Sequence, residues 1–230
     1  MKKKIKQWLF ECICFLVNDD YRLRKLVLAK VEKHLLNFTK YGYLKEIGWT
    51  KSVTDEKIID AAGNPIPWLT YPFISFIENR LQKEMHIFEF GAGSSTQYFS
   101  QKVASVTSVE HDQAWYEKVK AQLPSNATLF FEALEYDGLY SKIILQQQQA
   151  YDIIIVDGRD RNNCTRHAVT ALRDNGVLIF DNSDRSQYLP ALEFLESLGF
   201  KRLDFWGLQA GYTNTTCTSL FYKSNNCLKV

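Results

Sequence analysis

No apolar run in these 230 residues approaches the roughly 20 that a bilayer-crossing helix needs, so a membrane-spanning protein is not expected. Cysteine is scarce and unpaired. Cys12, Cys14, Cys164, Cys217 and Cys227 are odd in number and make no CxxC spacing, which argues against a disulfide framework or a zinc site and favours a reducing cytoplasm. A charge excess of one sign is missing too: 28 Lys and Arg face 26 Asp and Glu, a net charge of +2, and no overall field directs the chain to nucleic acid or a membrane, although the N-terminus is locally basic. Lys2, Lys3 and Lys4 before Trp8, Leu9 and Phe10 imitate a secretion signal, but Lys6, Gln7 and Glu11 interrupt the apolar stretch and no small-residue cleavage site follows. The sequons at Asn37, Asn126, Asn163 and Asn214 are then chance. Internal repeats are absent, and the glutamines at 146–149 are the only low-complexity patch.

What is present is core-forming material. With 46% hydrophobic and 14% aromatic residues, the chain can bury a substantial core in one main domain with an attached subdomain. Residues 5–16 place Ile5, Trp8, Leu9, Cys12, Phe15 and Leu16 at helical spacing. A second helix is predicted over about 21–38, with Val27, Val31, Leu35 and Phe38 on one side and a basic face elsewhere. That face is either solvated or offered to an anionic lipid surface or acidic partner. Glycines and prolines then punctuate residues 39–67, which reads as an irregular cover. Thr70 and Pro72 open a further helix whose expected buried positions are Phe73, Phe76, Ile77 and Leu81.

From residue 86 the pattern becomes regular. Strands are predicted at 86–90, 106–110, 128–132, 152–156 and 177–180, alternating with helical stretches at 96–102, 113–122, toward 148, 163–172 and 188–198. Two closing β-type runs, 202–206 and 218–222, have no helix between them. The predicted fold is therefore α/β: a doubly wound, mostly parallel seven-stranded sheet with an antiparallel C-terminal edge. Residues 1–65 form an N-terminal helical extension and cover, and residues 66–230 the main domain.

In such a sheet, ligands bind beyond the carboxyl ends of the strands. The first of those ends is Phe88-Glu89-Phe90-Gly91-Ala92-Gly93, followed by Ser94, Ser95 and Thr96. Its glycines allow a tight turn and close backbone approach, and a helix start presents free N–H groups. Glu110 lies 17 residues beyond Gly93, at the neighbouring strand end, where a carboxylate can accept hydrogen bonds from both hydroxyls of a ribose. A dinucleotide fingerprint would want a third glycine where Thr96 stands, so the loop suits a nucleoside without a pyrophosphate better than NAD.

These residues, together with Ser108-Val109-Glu110-His111-Asp112 and Tyr151-Asp152-Ile153-Ile154-Ile155-Val156-Asp157-Gly158, resemble the class I S-adenosylmethionine-dependent methyltransferases over about residues 70–223. The resemblance implies a Rossmann-like fold and S-adenosylmethionine as cofactor. Glu89, with the loop of Gly91, Ala92, Gly93, Ser94 and Ser95, would hold the methionine part, Glu110 and His111 the ribose side, and residues around Glu132 and Ala133 the adenine, where Glu132 and Glu135 are two possible acids, with Asp157 alongside. Ser95 departs from the family's fuller pattern, which often has a further glycine there.

Asp157, Asp181 and Asn182 offer oxygen ligands of the kind Mg²⁺ prefers, and resemble the metal site of catechol-type O-methyltransferases; their other reading is as turn and cap residues. Those enzymes carry a lysine where Asp160 stands here, which leaves Asp157, Asp160 and Asp181 as general-base candidates, with His111 and His167 as further ones. Trp68, Tyr71, Arg159, Arg161, Arg185, Trp206 and Tyr212 are expected around an acceptor. The expected activity is methyl transfer to a hydroxyl of a small molecule or saccharide. The alternatives are an aminopropyltransferase-like enzyme and a non-catalytic interaction module working through the basic N-terminal helices.

Overall fold

The structure is a computed structural model and describes residues 29–230. The helix expected at 5–16 and the first part of the helix expected from 21 lie outside those residues. The chain then runs through α1 (Lys30–Lys40), α2 (Tyr43–Glu46), α3 (Trp49–Asp55) and α4 (Tyr71–Glu78). Strands and helices alternate next: β1 (His86–Phe90), α5 (Ser94–Ser100), β2 (Ser105–Glu110), α6 (Gln113–Lys120), β3 (Ala127–Phe131), α7 (Leu139–Lys142), β4 (Tyr151–Val156), α8 (Arg161–Ala171), β5 (Leu172–Asp181) and α9 (Leu189–Ser197). β6 (Lys201–Gly207) and β7 (Thr216–Tyr222) close the chain.

The seven strands lie in the order β3-β2-β1-β4-β5-β7-β6. β1 to β5 pair in parallel, while β7 pairs antiparallel with both β5 and β6. The order reverses between β1 and β4, so the carboxyl ends of those strands flank the crevice where ligands of doubly wound sheets bind. Strand periodicity explains the two layers. Ile87, Ile153, Ile155, Val177 and Ile179 face one core with α4 and α5, including Phe73, Ile77 and Phe99. Their alternates Phe88, Phe90, Ile154, Val156, Leu178 and Phe180 face the other, under α8 and α9.

Three expectations change. The segment 39–67 is a set of short helices ending in a turn bridged between Ile59 and Pro65, because Leu44, Ser52 and Ile59 find burial there. In α4 the buried positions are Tyr71, Phe73, Ile74 and Ile77, with Phe76 and Leu81 only packed at the margin. Finally, α1 buries none of its residues, and the stripe of Val31, Leu35 and Phe38 faces outward. No helix among the described residues is long and apolar enough to cross a membrane.

Candidate cofactor and acceptor site

β1 delivers the glycine loop directly. The Gly91 N–H continues the ladder to the Val109 carbonyl (2.9 Å), and Asp157 N–H reaches the Phe90 carbonyl (3.1 Å), so the ends of β1, β2 and β4 are held in register. Gly91 has φ of +95°, a conformation open mainly to glycine, and a Cβ on it would come within 3.1 Å of the Gly158 backbone. Gly158 is constrained reciprocally: a side chain there would run into the Tyr140 hydroxyl and the Gly91 nitrogen. The two loops therefore touch backbone to backbone, leaving the N–H face of the Gly91–Gly93 turn beside the strand ends.

Glu89 sits beneath this loop, fully buried. Its Oε2 accepts hydrogen bonds from the Thr96 (2.7 Å) and Ser108 (2.8 Å) hydroxyls, and Thr96 also receives the Gly93 N–H (3.2 Å). Its Oε1 has no hydrogen-bond partner. Burial pushes the Glu89 carboxyl above the ordinary glutamate range, with the Thr96, Ser108 and nearby Ser95 hydroxyls pulling back in part. A buried, half-satisfied carboxylate next to a ligand loop is suited to a cationic group. At the next strand end Glu110 Oε1 accepts the N–H groups of His111 (2.7 Å) and Asp112 (2.8 Å), and Oε2 accepts that of Ala92 (3.3 Å). These bonds fix the carboxylate as an acceptor at the loop's edge. His111 Nδ1 lies 2.8 Å from Glu110 Oε1 without the alignment of a hydrogen bond, and its ring meets Tyr140 edge-on.

Glu132 continues β3, its N–H donating to the Glu110 carbonyl (3.0 Å), which brings the third predicted strand end into the same row. Ser94 and Ser95 begin α5. Trp115 had not been singled out in the sequence. Its indole N–H donates to the Ala92 carbonyl (2.7 Å), and the ring lies over Gly93. The available signal was weak: an aromatic three residues after the α6 cap Asp112, whose carboxylate receives the Trp115 N–H.

The other strand ends are organised differently. Arg161, expected to face an acceptor, is buried, and its guanidinium is used up within the protein. Nε donates to the Gly158 carbonyl (3.0 Å), Nη2 to the Asp157 carbonyl and carboxylate (both 2.9 Å), and Nη1 to the Asp181 carbonyl. The plane lies over the Tyr188 ring, 5.2 Å from its centre. Asp181 is equally occupied: Gln209 donates to both carboxylate oxygens (3.0 and 2.9 Å) and Thr218 to Oδ1 (2.6 Å). Asn182 gives its amide to the Thr216 hydroxyl (3.2 Å).

That donor set does not fit a Mg²⁺ site: both Asp181 carboxylate oxygens and one of Asp157 already accept protein donors, and a permanent cation, Arg161, lies against Asp157. No group of three or more His, Cys, Asp or Glu among the described residues has metal-ligating geometry. Asp160 is likewise structural. Its carboxylate receives the Asn163 amide (2.9 and 3.1 Å) and the Asp137 N–H (2.9 Å), tying the β3–α7 loop to the start of α8. His167 pairs with Asp137 (2.8 Å) in the same tie.

Asp157 keeps an open edge, its side chain 27% exposed. Burial, then the neighbouring Asp181 carboxyl, pushes its carboxyl well above the usual aspartate range, against the pull of Arg161. Asp181 is also pushed up by burial, offset by Arg161, Thr218 and Gln209.

Among the residues expected around an acceptor, Trp68 and Tyr212 meet with ring centres 5.4 Å apart, and Trp68 donates to the Ala210 carbonyl (3.0 Å). Arg159 and Arg185 are exposed. Tyr71 is instead core, its hydroxyl held up to about 12 by burial, and Trp206 projects from the edge strand β6.

No family model and no curated protein sequence matches the chain. Solved structures do. A precorrin-6y C5,15-methyltransferase from Geobacter metallireducens superposes with a TM-score of 0.52 at 19% identity, over 66% of this chain and 87% of that one. The precorrin 8W decarboxylase from Methanobacterium thermoautotrophicum gives 0.51 at 18%, over 73% and 96%. The O-methyltransferase TomG from Streptomyces achromogenes, solved with S-adenosylmethionine, gives 0.50 at 15%, over 64% and 76%. The seven strands, their order and the antiparallel close are thus those of the Rossmann-like fold of the class I S-adenosylmethionine-dependent methyltransferases.

Proposed function

We propose that the chain transfers a methyl group from S-adenosylmethionine to a hydroxyl of a small molecule or saccharide. The observation that carries this reading is the pairing of a glycine loop packed on Gly158 with a fully buried Glu89 whose Oε1 lacks a partner. Glu89 would meet the cofactor's ammonium group, the loop of Gly91, Ala92, Gly93, Ser94 and Ser95 its carboxylate, Glu110 and His111 its ribose, and Glu132 the adenine side. The sulfonium supplies an already activated methyl group.

The protein's own work is then mainly alignment and exclusion of water. Asp157 is the group we assign to receive the acceptor's proton, because it sits at the β4 end beside the glycine loop with its side chain 27% exposed, whereas the Asp181 carboxylate is buried and takes three protein donors and Asp160 ties α8 to the β3–α7 loop. Arg161 orients that carboxylate. TomG, an O-methyltransferase involved in tomaymycin synthesis, lends support by analogy of fold to a small acceptor.

The test is transfer from isotopically labelled S-adenosylmethionine to a panel of phenols, sugars and amines, with and without chelator. Labelled product from hydroxyl acceptors, insensitive to chelation and reduced at least ~100-fold in Asp157→Asn, is expected, within the range general-base catalysis supplies. Label on amines alone would refute the hydroxyl assignment. Tight cofactor binding with no transfer to any acceptor would favour the interaction-module reading.

A further inference from the structure

The protein's charge is divided along the chain. Residues 1–46 hold eleven Lys and Arg against five Asp and Glu, a net +6, whereas residues 47–230 hold 17 against 21, a net −4. The near-neutral total conceals a basic N-terminal fifth on an acidic catalytic-type domain.

The described part of that fifth also carries an exposed apolar stripe. Val31, Leu35 and Phe38 recur at i, i+4 and i+7 on α1 and are 70%, 59% and 42% exposed, and His34 lies among them. With Asn37, Tyr41 and Gly42 they line a shallow groove of about 500 Å³. A helix buried against its own domain would turn this stripe inward, as α4 does with Phe73, Ile74 and Ile77; α1 buries none of its residues.

We propose that this face is a docking surface for an anionic lipid membrane, with α1 lying in the plane of the headgroups. Charge complementarity selects that occupant. Aliphatic and aromatic side chains on one helical face, flanked by lysines in a segment of strong positive charge, is the composition of interfacial helices, and the two contributions add: apolar insertion by Val31, Leu35 and Phe38, and attraction of the basic residues to acidic headgroups. A second copy of this chain is a poorer match, since it would bring together two helices that each carry Lys30, Lys33 and Lys40 against one Glu32. Docking there would place the methyltransferase-type domain at the bilayer surface without any spanning segment.

The experiment is sedimentation of the full chain with vesicles of phosphatidylcholine alone and of phosphatidylcholine with 30% phosphatidylserine, at low and 0.5 M salt. The parent is expected to bind only the anionic vesicles, several-fold more weakly at high salt. Leu35→Glu combined with Phe38→Glu should weaken binding at least tenfold while leaving the thermal midpoint unchanged. Four results would overturn the proposal: no binding to the anionic vesicles; binding that salt abolishes but the double substitution does not touch, which would mark a general polyanion surface; a dimer in solution dispersed by the same substitutions; or a lowered thermal midpoint in the variant without vesicle binding in the parent, which would mark packing within the chain.

Discussion

The two halves of the crevice face each other across the β1–β4 seam, yet their polar groups are treated in opposite ways. On the β1–β2 side a buried carboxylate oxygen of Glu89 is left without a partner and Glu110 is braced by backbone N–H groups at the rim of an open loop. On the β4–β5 side Asp181 is absorbed by Gln209 and Thr218, the Asn182 amide by Thr216 and one oxygen of Asp157 by Arg161, so that only the other edge of Asp157 stays open. Unpaired buried charge is costly, so it persists where a ligand can supply the partner. Carboxylates at strand ends are therefore not equivalent, and residue type with spacing does not tell a ligand site from a structural ion pair. Their donors do.

The sharpest attack on this contrast is at Arg161. Replacing it with Met removes the buried cation between the two ends and should cost about 3 kcal/mol of stability in urea denaturation, with part of the loss recovered when Asp157→Asn is added. A loss below about 1 kcal/mol would mean the closed half does not depend on its guanidinium.

The seam itself comes next. Gly158→Ala places a methyl group against the Tyr140 hydroxyl and the Gly91 backbone, an overpacking expected to destabilise by about 2 kcal/mol and to weaken cofactor binding with it. Calorimetry and a thermal melt on the same sample separate the two effects.

In the open half the sign of a pH effect is diagnostic. Glu89 has a folded-state pKa raised by burial, so its stabilising contribution is complete below the unfolded-state pKa and is lost as pH rises through the folded one. Glu89→Gln should match the parent in stability under acidic conditions and become progressively more stable than it toward pH 8, while binding the cofactor more weakly. Equal stability at all pH values would show that the carboxylate is solvated or already paired. The smallest effect is expected at the rim, where Trp115→Phe removes one hydrogen bond to Ala92 from a side chain nearly half exposed. Cofactor affinity should fall about three- to tenfold, in keeping with about 1 kcal/mol for a single neutral bond.

Much of this architecture was legible from residue pattern. Apolar alternation marked each of the seven strands to within a few residues except β5, whose N-terminal half, from Leu172 to Gly176, is mostly exposed and carries no such pattern. The glycine loop and Glu110 were legible because a strand, a turn and a carboxylate at a fixed separation are local facts. The fate of Asp181 was not, since Gln209 and Thr218 lie 28 and 37 residues further on and meet it only when β7 inserts beside β5. Arg161 sits four residues from Asp157, yet its burial depends on Tyr188 and the β5 carbonyl arriving above it. For α1, periodicity gave the helix and its apolar side over the described residues, but whether that side is covered is not a property of spacing.

The central claim is that the open half takes S-adenosylmethionine, and calorimetry on the full chain tests it most directly. The account predicts saturable binding in the micromolar range, weakened about 10- to 100-fold by Glu110→Ala through loss of hydrogen bonds to a charged acceptor, and little changed by Asp160→Asn. Absence of binding at millimolar cofactor, or binding indifferent to Glu110→Ala, would contradict it.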